Sequence, residues 1–253
     1  MNAPSTATGW TLPPRRGALV TVEGVWGAGK TTAAAHLAER LRGCGLTTEV
    51  IHIGERSGSI GRLSAFLESA PLRARTGTGG FAAAHHAPID ALLRLAREAH
   101  HHQQDYGPAL TRSNVVIVDT GVYSKIAYAL AILAETDPDP DPDSETILAR
   151  LSAVTAPWFV HPDVAVYLDV PWPLARERAI ARGHGGGNPA AAERLLFLPR
   201  YVAAYRRVLA AHAERVEKVR VGLRPALEVA DEISAAVTAR LNLPPLPELA
   251  AAA

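Results

Sequence analysis

The stretch Gly24-Val-Trp-Gly-Ala-Gly-Lys-Thr31 fits the pattern G-x-x-x-x-G-K-[ST]. Its flanks suit it. Ala18 to Glu23 is apolar and β-branched, as a buried parallel strand should be, and Thr32 to Arg42 is rich in Ala, Leu and Arg, as a helix should be. A glycine-rich turn between strand and helix lets backbone N–H groups converge on phosphate oxygens, and the helix dipole adds to the attraction. In such a loop Gly24, Trp26, Gly27, Ala28, Gly29 and Thr32 would line the phosphates with their backbone. Lys30 would reach the β- and γ-phosphates, and the Thr31 hydroxyl would ligate Mg²⁺.

Working outward, apolar runs alternate with helical spacing. Strands are expected at Glu49–Ile53, Val115–Val118, Val164–Leu168 and Lys218–Val221, besides the one before the loop. Helices are expected at 62–69, 88–112, 122–135, 144–154, 173–182, 190–215 and 226–241. Such alternation predicts an α/β fold whose parallel sheet is covered on both faces, with ligands at the carboxyl ends of the strands. Residues 1–16 read as a flexible arm, 17–242 as one domain and 243–253 as an extended tail.

Asp119 follows the third long apolar run. A carboxylate carried on a rigid strand beside a phosphate loop suits the ordering of Mg²⁺, and Lys30 and Asp119 are therefore the catalytic candidates. An Asp there also suits a helix N-cap.

The balance of 26 Lys+Arg against 25 Asp+Glu gives no basic field, so nucleic acid is not the expected partner. One cysteine, Cys44, excludes an intramolecular disulfide. No stretch of about 18 apolar residues is present, so no membrane association and a cytoplasmic location are expected. Asp137-Pro-Asp-Pro-Asp-Pro-Asp143 reads as a solvated loop, because it lacks the glycine turn and terminal Glu of a Ca²⁺ loop. His100, His101 and His102 are consecutive and cannot all face one metal from a helix. Tyr201 and Tyr205 have the spacing of a packing pair. No G-x-S-x-G hydrolase signature and no N-K-x-D base-reading sequence of GTPases is found.

Four segments together resemble the thymidylate kinase family over most of residues 18–240. Glu23 to Thr32 resembles E-G-x-[DE]-G-[AS]-G-K-[ST]-T. Glu55-Arg-Ser-Gly-Ser59 resembles E-P-G-G-T. Asp119 to Tyr128 resembles D-R-Y-x-x-S-x-x-A-Y, and Pro162 to Pro171 resembles P-D-L-x-x-x-L-D-x-P. The resemblance implies a P-loop NTPase-type five-stranded parallel sheet of order 2-3-1-4-5 and a short lid at about 183–190. It implies ATP with Mg²⁺ as phosphoryl donor, Arg182 against the adenine, Glu55 and Ser124 in the acceptor cleft, and a homodimer. The small-molecule acceptor would be a nucleoside or nucleotide.

The departures gather on the acceptor side. Thr120 stands where the pattern has arginine. Leu92-Leu-Arg-Leu-Ala-Arg-Glu98 replaces L-L-F-x-A-[DN]-R, so Arg94 takes the place of the ring and Glu98 that of the arginine. Trp26 replaces an acid, and His184 to Gly187 carries no arginine. Donor chemistry is thus expected to be kept and dTMP recognition altered. Arg94 and Arg97 are open to two readings, replacement phosphate ligands or solvated helix residues. A regulatory ATPase on the same fold is the alternative of another class.

Overall fold

A computed structural model describes residues 17–52, 73–75, 81–83, 87–136, 144–184 and 189–243. The expected arm, the Glu55 turn, the helix at 62–69, the Asp/Pro loop, the centre of the lid and nearly all of the tail lie outside the described residues.

The chain runs β1 (Ala18–Glu23), α1 (Lys30–Gly43), β2 (Thr48–His52), β3 (Arg73–Arg75), β4 (Phe81–Ala83) and α2 (Ala87–His101). A π-helical turn, His102–Tyr106, leads to α3 (Gly107–Arg112), β5 (Val115–Asp119), α4 (Val122–Thr136) and α5 (Ser144–Thr155). Then come β6 (Val164–Asp169), α6 (Trp172–Ala179) with a π-helical end at Ile180–His184, α7 (Pro189–Ala210), β7 (Val216–Arg220) and α8 (Ala226–Arg240).

The main sheet has order β2-β5-β1-β6-β7, every neighbouring pair parallel, which is the expected 2-3-1-4-5. Its three central strands, β5, β1 and β6, are almost wholly buried, which is why they read as unbroken apolar runs. The edges β2 and β7 are only partly buried and carry the polar residues Glu49, Glu217 and Lys218. Alternate residues of a strand face opposite ways. Accordingly Val20, Val22 and Ile117 join the main core, whereas Leu19, Val116 and Val118 pack on Tyr106, Ala109 and Leu110.

Helix α1 buries Ala33, Ala34, Leu37, Ala38 and Leu41, one helical stripe, and packs beside α8. It stops at the expected place: Gly45 adopts a φ of +79°, and its N–H bonds the Arg42 carbonyl at 2.9 Å. Helix α4 packs against α2, α5 and α7. Among the described residues no helix is long and apolar enough to cross a membrane.

Two features differ from the sequence reading. Strands β3 and β4, which the sequence reading does not include, pair antiparallel. The single helix expected over 88–112 is divided by the π turn at His102–Tyr106, where the His102 ring stacks on Phe159 at 4.8 Å and its Nδ1 accepts the Val160 N–H at 2.8 Å. Bonds from a side chain to a neighbouring segment are a recognised cause of such a bulge.

Candidate active site

The loop lies where β1 ends and α1 begins, at the carboxyl edge of the sheet. Gly29 takes a φ of +96° next to the first residue of α1, a conformation costly for a residue with a Cβ. At Gly27 a Cβ would collide with the carbonyl of Ala175, so the loop and α6 approach more closely than any side chain permits. That approach also brings the end of α6, which carries Arg182, towards the loop.

Register decides what faces the loop from the sheet. Asp119 is the last residue of β5, rather than the first one after it, and sits opposite Val22 of β1 and His52 of β2. Its Oδ2 accepts the Thr31 hydroxyl at 2.6 Å and lies 3.3 Å from His52 Nδ1. The expected Mg²⁺ pair, Thr31 and Asp119, is therefore brought together. A hydroxyl and a carboxylate are the hard oxygen donors that Mg²⁺ takes, commonly one or two from protein with the rest from phosphate and water.

Lys30 is half-buried, and its Nζ donates to the Val25 carbonyl at 3.0 Å, curling back over the loop. Burial lowers its pKa to about 8, against the pull of Asp119 and Glu23. Burial likewise raises the pKa of Glu23, although the Ser124 hydroxyl and the N–H groups of Ser124 and Tyr123 donate to its carboxylate.

On one side of the loop a cleft is lined by Gly29, Thr32, Arg178, Arg182 and Arg224. Arg182 is exposed at this cleft, in keeping with a place against a donor base. The Arg178 guanidinium is tied to the Gly222 carbonyl at 2.7 Å, and Arg224 to Glu228 and Glu232.

On the other side the Trp26 ring joins an aromatic cluster with Tyr128, Phe197 and Tyr201, at centroid separations of 6.3, 6.5 and 5.2 Å. Trp26 thus serves the loop with its backbone while its indole packs towards α4 and α7. The Arg94 guanidinium stands 5.1 Å from the Tyr128 centroid, a cation–π distance, and Arg97 is buried. Arg97 is thus not a solvated helix residue, and Arg94 is half-buried.

Two residues expected on the acceptor side, Glu98 and Ser124, are buried. Glu98 is fully buried, and its carboxylate accepts the Tyr106 hydroxyl at 3.0 Å. Burial opposes its charge, yet Lys125 and His102 hold its pKa down to about 2. Its other oxygen, Oε2, is buried without a hydrogen-bond partner among the described residues. Ser124 is also buried, and its hydroxyl is bonded to Glu23 and Tyr205. It reaches the cleft only through the loop it supports. Thr120 keeps its side chain on Asp119, at 3.3 Å, on a backbone with φ of +77°.

The sequence reading missed Lys125, which lies in the same electrostatic neighbourhood as Glu98, Arg97, Arg94 and Glu23. A Lys beside the Ser of the D-R-Y-x-x-S-like segment was the available signal. Tyr201 and Tyr205 are buried as a packing pair should be, but their hydroxyls also bond the Ser124 carbonyl at 3.0 Å and the Gly24 backbone at 3.1 Å. Of the histidines, His101 turns to Asp105 and His102 to Val160 and Glu98, so neighbouring rings serve separate partners.

A parallel sheet of this order with a lysine-bearing glycine loop, and a carboxylate from the neighbouring strand on its threonine, defines a P-loop nucleotide-binding fold. The thymidylate kinase family model matches residues 22–233, and the chain belongs to that family, ATP-dependent kinases of the nucleotide-kinase type. A probable thymidylate kinase of Methanospirillum hungatei is 33% identical over 66% of this chain and 70% of its own length. A thymidylate kinase of Xanthomonas oryzae is also 33% identical, over 66% of this chain, which spans 62% of that relative. One from Lactiplantibacillus plantarum is 28% identical over 80% of this chain and 84% of its own length. Among solved structures, a thymidylate kinase from Candida albicans superposes with a TM-score of 0.64 over 91% of this chain and 95% of its own, at 20% identity, a likeness of fold.

Proposed function

We infer that the protein transfers the γ-phosphoryl group of ATP to a nucleoside or nucleotide-like acceptor through an acceptor site that differs from a dTMP site. The observation that carries the donor half is the Thr31–Asp119 contact of 2.6 Å beside Lys30. Phosphoryl transfer asks little covalent chemistry of the protein, so positioning and charge stabilisation dominate. Lys30 and the loop amides would hold the β- and γ-phosphates. Thr31 and Asp119 would hold Mg²⁺, which when bound neutralises charge on the phosphates. Arg182 would rest on the donor base.

The acceptor half rests on Arg94, Arg97, Lys125 and the Trp26–Tyr128 wall. With Lys125 set against the buried Glu98, Arg94 and Arg97 remain to favour an acceptor with an anionic group, and the aromatic wall favours one with a flat or apolar face. Thr120 offers no guanidinium, and Arg94 is stacked on Tyr128. These two facts support an acceptor site unlike the family pattern, whose plain reading, dTMP to dTDP, is the second one supported here by the relatives' names.

The test is ADP release from ATP–Mg²⁺ with dTMP, other nucleoside monophosphates, free nucleosides or no acceptor. Stimulation by one of these compounds supports the reading. Turnover that no acceptor raises would leave a regulatory ATPase in its place.

A further inference from the structure

Helix α7 presents Phe197, Tyr201 and Tyr205 at four-residue intervals, all buried, along one stripe. This is the helix that follows the expected lid. Phe197 and Tyr201 meet the loop through Trp26. Tyr205 meets the loop's first residue: its Oη lies 3.1 Å from the N of Gly24 and 3.1 Å from its carbonyl O. It also bonds Ser124 Oγ, which in turn bonds Glu23 Oε2. The Glu23 carboxylate is then closed off by the N–H groups of Ser124, at 2.9 Å, and Tyr123, at 3.3 Å, at the start of α4.

Counting protons fixes the sense of this chain. The Ser124 hydroxyl has one proton, and the Glu23 carboxylate is its strongest acceptor. Ser124 Oγ is therefore free to accept from Tyr205. Burial holds the Tyr205 phenol well above its ordinary pKa, so it keeps its proton to donate. Its lone pairs are left for the Gly24 N–H. The order is Gly24 N–H to Tyr205 O–H to Ser124 O–H to the Glu23 carboxylate. A phenylalanine would fill the same space with no hydroxyl to satisfy, so packing alone does not call for tyrosine at this buried position.

We propose that Tyr205 is a positioning residue that holds Gly24, and through it the loop amides, in the conformation that receives the donor's phosphates. The proposal rests on the donor site being an ATP site.

The test is calorimetric binding of ATP and of AMP to the parent chain and to Tyr205→Phe, with thermal unfolding alongside. AMP lacks the β- and γ-phosphates that the loop holds. The expected result is ATP binding weakened about five- to tenfold, the effect of one net hydrogen bond, with AMP affinity unchanged. In turnover, KM for ATP should rise with it. Ser124→Ala, which keeps both rings, should weaken ATP in the same direction by less, and the double variant should lose less than the two single losses combined. Should Tyr205→Phe not fold, Ser124→Ala decides. Equal loss for ATP and AMP, or no loss for either, would overturn the proposal and leave Tyr205 as packing. A parent chain that binds no ATP would overturn the donor reading and this proposal with it.

Discussion

Asp119→Asn removes one negative charge and almost no volume. In the structure the Asp119 carboxylate is nearly buried, accepts Thr31 Oγ1 at 2.6 Å and has His52 Nδ1 at 3.3 Å. An amide oxygen can still accept the Thr31 proton, so the fold should survive. What goes is the charge that would help to order the cation. A charge-assisted contact is worth about 1.5–3 kcal/mol, and each 1.4 kcal/mol or so is tenfold in an equilibrium constant. The Mg²⁺ concentration for half-maximal activity should therefore rise by about ten- to a hundredfold, with maximal rate also reduced. The assay is ADP release at saturating ATP and acceptor, titrated with Mg²⁺, with circular dichroism as a control for folding. Overlaying Mg²⁺ curves from a folded variant and its parent would refute the reasoning and reduce Asp119 to a turn residue.

Three further outcomes are expected. Lys30→Ala should lower phosphoryl transfer by about 10²–10³, the usual worth of one donor aimed at developing charge; the assay is turnover of the purified, folded variant, and parent-like turnover would sink the loop assignment. The specificity constant for ATP should fall as pH rises through about 8, because the buried Lys30 holds its proton less tightly than an ordinary lysine and the unprotonated amine holds phosphate poorly; a profile flat to pH 9 would count against it. Gly27→Ala should destabilise the chain by about 2 kcal/mol or more, since its φ is +81° and a Cβ there meets the Ala175 carbonyl, as urea unfolding would report.

The donor side was legible in the sequence because its determinants are local. Gly24 to Thr31 are contiguous, and Asp119 is marked by the four apolar residues before it. Strand order is a long-range property, and it came from resemblance, not from any residue pattern. The β3–β4 hairpin escaped notice because three-residue strands such as Arg73-Ala-Arg75 show too little alternation to register. The π turns leave no compositional trace, since they depend on partners such as Val160, 58 positions from His102.

The burial of acceptor-side residues was not legible, for a related reason. Glu98 stood at the acceptor by resemblance, but Tyr106 lies about two turns further along the same face and α4 supplies Lys125 against it. Whether a helical carboxylate points to a cleft or to a neighbouring helix depends on the packing of α2 on α4, which spacing alone does not encode. Tyr205 shows the same limit. Its four-residue spacing from Tyr201 correctly gave burial, while its hydroxyl's partner, Gly24, lies 181 positions away.

The claim at the centre of this account is transfer of a phosphoryl group onto a small acceptor. It is tested most directly by following the γ-phosphoryl of labelled ATP into product, with dTMP and a panel of nucleoside monophosphates and free nucleosides offered at equal concentration. The account predicts label in a phosphorylated acceptor, dependent on Lys30, with a specificity constant for dTMP about tenfold or more below that of the best acceptor, since Thr120 supplies no charge-assisted contact. Label appearing only in inorganic phosphate would contradict the kinase reading. Label passing most efficiently to dTMP would contradict the altered acceptor site and leave a dTMP kinase.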